Sequence, residues 1–188
     1  MISTDKVRVN LGSGNVYMPG WVNVDFNTNN KVDINCDLTK EVPFVDNSVD
    51  EILLDNVLEH IQRDRYFWFM DELWRICKPG AVIKIYVPHC SNVGAFGHPA
   101  HYNYFHSWSL NVMSVDVPKN YERYNSARFK IKSKVLFFHH NYFNLHFLSR
   151  INPYVSWIFN GFGETWKMIC ERVLKFEECY YVLEVKKC

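Results

Sequence analysis

Residues Val7 to Asp25 read VRVNLGSGNVYMPGWVNVD. A short apolar strand, Val7–Leu11, runs into Gly12-Ser13-Gly14, and a second strand, Trp21–Asp25, closes on a carboxylate. Glycines placed after a strand let the backbone approach a ligand closely and take positive φ. An acid at the end of the next strand can accept both hydroxyls of a ribose. The outline is that of a nucleotide-binding turn, yet only ten residues separate Gly14 from Asp25. A parallel crossover usually takes about a dozen or more. A dinucleotide fingerprint needs a third glycine opening a full helix, with its acid about 20 residues further on. Here the third glycine is missing and the acid comes early. A pyrophosphate also favours a helix N-terminus, so a nicotinamide oxidoreductase is disfavoured.

Working outward, the chain alternates strand and helix signals. Lys31–Asp37 (KVDINCD) is a third strand, and Val49–Leu54 a fourth after the turn residues Asp46-Asn47-Ser48. Asp64 is a candidate N-cap for a helix carrying Tyr66, Met70, Leu73 and Cys77 at helical spacing, stopped by Pro79-Gly80. Ala81–Val87 (AVIKIYV) is a fifth strand, ended by Pro88. Strands alternating with helical or short connections predict an α/β fold with a mostly parallel sheet. In the second half, Gly94–Ser109 is rich in His and aromatics and has no clean period. Arg128–His139 reads as a sixth strand, Glu164–Lys175 as a helix with Trp166, Ile169 and Val173 at helical spacing, and Cys179–Val185 as a last strand. No linker or repeat divides the chain, so residues 1–188 are expected to form a single domain.

With 48% hydrophobic and 22% charged residues, the chain has the composition of a globular domain rather than a disordered one. A formal net charge of +1 gives no basic field, so no nucleic-acid partner is expected. Six cysteines are scattered without a CxxC pair, and MISTDKVRVN lacks the apolar core of a signal peptide. Both facts predict a cytoplasmic setting with free thiols. No apolar run approaches the roughly 20 residues of a membrane span.

Two further acids fall at the carboxyl ends of strands: Asp37, followed by Leu38, and Asp55, followed by Asn56. Ligands of open α/β sheets bind along that edge. Glycine turn and acids follow one another in chain order, within the blocks VNLGSG, PGWVNVD, DINCDL, VPFVDNSVDEILLDNVLEH and ELWRICKPGAVIKIYVP. Together these resemble the small bacterial type 11 branch of the class I S-adenosylmethionine-dependent methyltransferases, closely over Val7–Pro88 and more loosely beyond. The resemblance implies a Rossmann-like methyltransferase sheet in a three-layer αβα arrangement, with strand one central and an antiparallel C-terminal strand. It implies S-adenosyl-L-methionine as cofactor. Residues 1–90 would form the cofactor-binding half, and residues 91–188 the aromatic-rich acceptor side.

By the same resemblance, Leu11, Gly12, Ser13 and Gly14 would wrap the methionine part of the cofactor. Asp25 would hold the ribose with Phe26 beside it, Asp37 and Leu38 would meet the adenine, and Asp55, Asn56 and Val57 would line the methionine side. Glu59 and His60 match the family's LEH, expected to set the helix start and the pocket wall. Two positions depart from the pattern. Asn10 stands where an acid often precedes the first glycine, and Asn15 replaces a glycine after the turn.

Methyl transfer to a hydroxyl is helped by a general base. Past strand five lie His89, His98, His101, Tyr102, Tyr104 and His106. HPAHYNYFHSWSL matches the family's acceptor-side outline, and His98 or His101 is the base candidate. His98 and His101 are spaced HxxH, with His89 and Cys90 upstream and His139, His140 and His146 later. That spacing is not a standard zinc pattern, so no metal is expected. Lys130, Lys132 and Lys134 alternate along a strand and should share a solvated face. The aromatic run Tyr154–Phe162 is expected to pack in the core, with a homodimer or membrane-surface contact as the other reading. The function expected is methyl transfer to a small-molecule or glycan-like acceptor. The alternative is a non-catalytic S-adenosylmethionine-binding protein of the same fold.

Overall fold

The computed structural model describes residues 6–116, 127–137, 171 and 175–187. Seven strands form one sheet: β1 (Arg8–Leu11), β2 (Val22–Asp25), β3 (Ile34–Asn35), β4 (Val49–Asp55), β5 (Cys77–Pro88), β6 (Phe129–Phe137) and β7 (Glu178–Val185), in the order β3-β2-β1-β4-β5-β7-β6. The pairs from β3 through to β5 are parallel, and β7 runs antiparallel to both β5 and β6. The sheet is therefore Rossmann-like, with its antiparallel strand where expected.

Alternation explains the packing. Val9, Leu11, Val24, Ile52, Leu54, Ile83, Ile85, Tyr181 and Leu183 are all buried and point to one face. Helix α1 (Arg63–Ile76) lays Phe69, Met70, Leu73 and Ile76 into the same core. Each such side chain is fully enclosed, so truncating Leu73 to Ala costs about 2–5 kcal/mol. The opposite face is mixed. There Lys84 pairs with Glu51 at 2.7 Å, Tyr86 stacks on Tyr180 at 4.4 Å, and Lys132 reaches Glu184 at 3.2 Å.

Helix α1 differs from the sequence expectation at both ends. Gln62, not Asp64, is its N-cap, and Asp64 sits in the acidic first turn. Cys77 already begins β5, where it stays fully buried, and Ile76 is the last buried residue of the helix. Pro79-Gly80 does stop the helix, but as a bulge within the β5 ladder: Val49 pairs with Cys77 while Glu51 pairs with Val82. Gly80 takes φ +80 there.

No helix fills the connections β1–β2, β2–β3 or β3–β4. Side chains hold the first of them instead. Asn10 and Asn23 are register partners on neighbouring strands, both buried. The Asn23 amide accepts from Met18 N at 2.9 Å and donates to Met18 O and Trp21 O, both at 3.0 Å. Asn10 Nδ2 donates to Val16 O and to Asn23 Oδ1, both at 3.2 Å. Asp33 accepts from Asn23 N at 2.7 Å and from the Tyr17 hydroxyl at 3.0 Å. The loop's polar groups, which a crossover helix would have satisfied internally, are met by these amides.

The lysine stripe does not share one face. A register shift between Ile131 and Ser133 lets Lys130 and Lys132 approach Glu184, while Lys134 pairs with Tyr181 on the other side and lies over the Trp108 ring at 5.7 Å. The helix expected over Glu164–Lys175 and the aromatic run Tyr154–Phe162 lie outside the described residues, as do His139, His140 and His146.

Candidate functional site

The carboxyl ends of β1, β2, β3 and β4 open onto a pocket of about 880 Å³. Its floor is the glycine turn. Gly12 N and Ser13 N both donate to Val24 O, at 2.8 and 3.0 Å, which ties the turn to the end of β2. Gly12 has φ +70, and a Cβ there would lie 2.6 Å from Val57 Cγ2, so no other residue fits. Gly14 has φ +52 and donates its N–H to Asp25 Oδ2 at 2.8 Å. Asp25 Oδ1 accepts from Asn27 N at 2.8 Å. Asp25 thus clamps the turn with one lone pair on each oxygen and keeps others for a ligand. The Ser13 hydroxyl is buried, lines the pocket and has no partner, an open polar group of the kind a ligand satisfies.

The side walls follow from the later acids. Asp37 Oδ1 accepts from Thr39 N at 3.0 Å and Thr39 Oγ at 2.6 Å, and its other oxygen pairs with Lys40 at 2.9 Å. The Thr39 hydroxyl, more than Lys40, holds the Asp37 carboxyl down at about 2. Leu38 beside it is buried and supplies an apolar wall. Asp55 accepts from Asn56 Nδ2 at 2.8 Å, and Asn56 adopts φ 54, a left-handed conformation that Asn tolerates better than other side chains. Phe26 lines the mouth and is 72% exposed.

At the far end the pocket meets a 3-10 turn, Leu58–His60, and the segment Ala100–Tyr102. The two are laced together. Glu59 O accepts from Tyr102 N at 2.7 Å, and Asn103 Nδ2 donates to Ile61 O at 2.6 Å and Leu58 O at 3.0 Å. This lacing brings His60 within 4.7 Å of the His101 ring and 5.5 Å of the His98 ring, centroid to centroid. Burial pushes the His60 imidazole below its ordinary value. Glu59 is buried with both carboxylate oxygens unpartnered, and burial raises its pKa to about 7, with Asp55 and Glu178 adding repulsion.

Three comparisons bear on this arrangement. A family profile described as "Methyltransferase domain" matches residues 17–85, the span from the first loop to β5. Among solved structures, an S-adenosylmethionine-dependent methyltransferase from Archaeoglobus fulgidus superposes with a TM-score of 0.59 at 16% identity, over 97% of this chain and 87% of its own. Residues 17–85 thus match a methyltransferase model, and the sheet around them has the fold of these methyltransferases. A putative methyltransferase of Haloferax volcanii, solved with the Trm112 methyltransferase activator, gives a TM-score of 0.60 at 16% identity, over 97% of this chain and 84% of that one. The [4+2]-cyclase SpnF gives 0.57 at 14% identity, over 97% and 76%. At such identities the likeness is one of fold. No curated protein matches the sequence.

The fold gathers Gly12, Ser13, Gly14, Asp25, Phe26, Asp37, Leu38, Asp55, Asn56 and Val57 around one pocket. Leu11 is the exception: its side chain is fully buried on the core face and does not line the cavity. Alternation along β1 sends Val9 and Leu11 inward and leaves Asn10 on the pocket side. Of the histidines past β5, His89 is a buried structural group. Its Nε2 lies 3.1 Å from Glu171 Oε1 and its Nδ1 2.7 Å from Ser91 Oγ. Burial favours a higher pKa for Glu171, but hydrogen bonds from His89 and Ser107 outweigh it and the net shift is down. His106 is exposed, its Nδ1 accepting from Trp108 N at 3.1 Å. Cys90 lies apart from His98 and His101, whose actual neighbour is His60. Two contributions were not anticipated: the structural role of Asn23, although it lies within PGWVNVD, and the His60 contact. Asn23 carried one usable signal: a polar residue beside Asn10 in register, in strands otherwise apolar inward.

Proposed function

We propose that the domain binds S-adenosyl-L-methionine in the pocket and transfers its methyl group to a small-molecule or glycan-like acceptor. One observation carries the reading. A glycine turn admitting no Cβ, the unpartnered Ser13 hydroxyl and the Asp25 carboxylate meet at the carboxyl edge of a methyltransferase sheet. When bound, the cofactor supplies an electrophilic methyl group and departs as a neutral thioether.

The chain's own residues bind and orient. Gly12 and Gly14 let the backbone come close, Ser13 offers its free hydroxyl, and Asp25 has lone pairs left for ribose hydroxyls. Leu38 gives an apolar face to the adenine. The Asp37 oxygens are already engaged by Thr39 and Lys40, so in this reading Asp37 shapes the adenine loop first and meets the ring with its remaining lone pairs. Leu11 contributes backbone only. The acceptor side is bordered by His60 and Tyr102. Residues 1–90 and 91–188 then act as the cofactor and acceptor halves of one cytoplasmic domain. No described helix is long and apolar enough to cross a membrane.

The test is methyl-label transfer from S-adenosylmethionine into a fractionated cell extract. Label in the small-molecule or glycan fraction, lost with Ser13→Ala/Asp25→Ala, supports the reading. Cofactor binding without transfer to any fraction would instead favour the non-catalytic binder.

A further inference from the structure

We propose that His60, His98 and His101 form a binding site for a divalent transition metal of the zinc class, at the acceptor end of the pocket. Each of the three offers one ring nitrogen, and the three atoms lie within 4.8 Å of one another. Three imidazoles with an open fourth position are a donor set suited to zinc, cobalt or nickel. Around a tetrahedral ion with bonds of 2.0–2.1 Å the nitrogens stand about 3.3 Å apart, so the cluster needs a closure of about 1.5 Å at most.

The outer support already exists. His60 Nδ1 lies 3.0 Å from Ala100 O, and His101 Nδ1 lies 3.1 Å from Ala95 O. With Nδ1–H given to a carbonyl, the lone pair of each ring sits on Nε2, the arrangement that second neighbours impose on metal-bound histidine. The carbonyls that orient the rings, Ala95 and Ala100, belong to the same short segment that supplies His98 and His101, so that segment fixes both partners at once. His98 is the adjustable member. Its Nδ1 accepts from Ala100 N at 3.2 Å, which leaves the hydrogen on Nε2. It is exposed and can turn or exchange that bond for a metal.

Of the three only His60 lines the pocket, beside Ala100 and Tyr102, so the ion would sit at the cavity's rim with its fourth position open to a ligand there. Given the methyltransferase reading, an acceptor oxygen would occupy it, and the ion would ease loss of that hydroxyl's proton to solvent. Metal binding itself does not depend on that reading. The expected base role of His98 or His101 gives way to ligation, because a bound ion takes the lone pair a base would use.

The test uses the whole chain after chelator treatment, titrated with Zn²⁺ by calorimetry and with Co²⁺ by visible absorption. The expected result is one ion per chain with a Kd on the order of 1 μM or below, and a tetrahedral Co²⁺ spectrum. His98→Ala and His101→Ala should each weaken binding at least about tenfold while keeping the wild-type circular dichroism and melting curve. Absence of binding tighter than roughly 100 μM overturns the proposal, as does tight binding unchanged in both variants. S-adenosylhomocysteine is titrated in parallel. Its failure to bind, with metal binding intact, would refute the methyltransferase reading and leave the metal site standing.

Discussion

Glu59 sits in the LEH turn with 1% exposure and no hydrogen bond to either oxygen. Its pKa is raised from 4.5 to about 7, chiefly by burial. An acid whose folded pKa exceeds its unfolded one stabilises the fold fully only below the unfolded value, and that contribution is lost as pH rises through the folded value. The shift of roughly 2.5 units, at 1.36 kcal/mol each, amounts to about 3 kcal/mol, most of it lost between about pH 5 and pH 8.5. Glu59→Gln keeps the shape and removes the titration. The amide, unpartnered as the carboxyl was, costs about 1–3 kcal/mol at every pH. The variant should therefore gain on the wild type by about 2–3 kcal/mol between the two pH values, other groups cancelling in the comparison. Urea unfolding of both proteins, in the presence of a chelator, measures it. A difference between variant and wild type that is the same at both pH values would refute the assignment of an uncompensated buried carboxyl.

Gly12→Ala combines φ +70 with a Cβ placed 2.6 Å from Val57 Cγ2. It should lower stability by at least about 2 kcal/mol in urea unfolding and weaken S-adenosylhomocysteine binding in calorimetry. Asn10→Asp restores the acid common at that position but turns a carboxylate toward Val16 O and Asn23 Oδ1. Loss of at least about 2 kcal/mol, with no gain in cofactor affinity, is the expected outcome of the same two measurements.

Most strands were legible because they alternate apolar side chains toward the core, although β3, expected over Lys31–Asp37, keeps only Ile34–Asn35. The glycine turn was legible because Gly12 has no room for a Cβ. Two of the misreadings share a cause in register. A bulge beside Lys132 turned Lys134 to the opposite face, and another around Pro79-Gly80 moved Cys77 from helix to strand. Composition alone does not announce either shift. Asn10 looked like a lost charge, yet the fold requires an amide there because its neighbours are acceptors. The histidine cluster escaped because His60 lies far upstream of the HxxH pair. Hydrogen bonds from the Tyr102 and Asn103 backbone N–H groups and the Asn103 side-chain amide to carbonyls of Leu58–Ile61 bring them together.

The pocket at the carboxyl edge has the cradle of an S-adenosylmethionine site. Calorimetric titration of the whole chain with S-adenosylhomocysteine, alongside Asp25→Ala, tests it most directly. One site per chain is expected, lost or weakened at least about tenfold in the variant, since removing the carboxylate frees the Gly14 N–H and takes away the ribose acceptor. No binding to the wild type, or equal binding to both proteins, would contradict it.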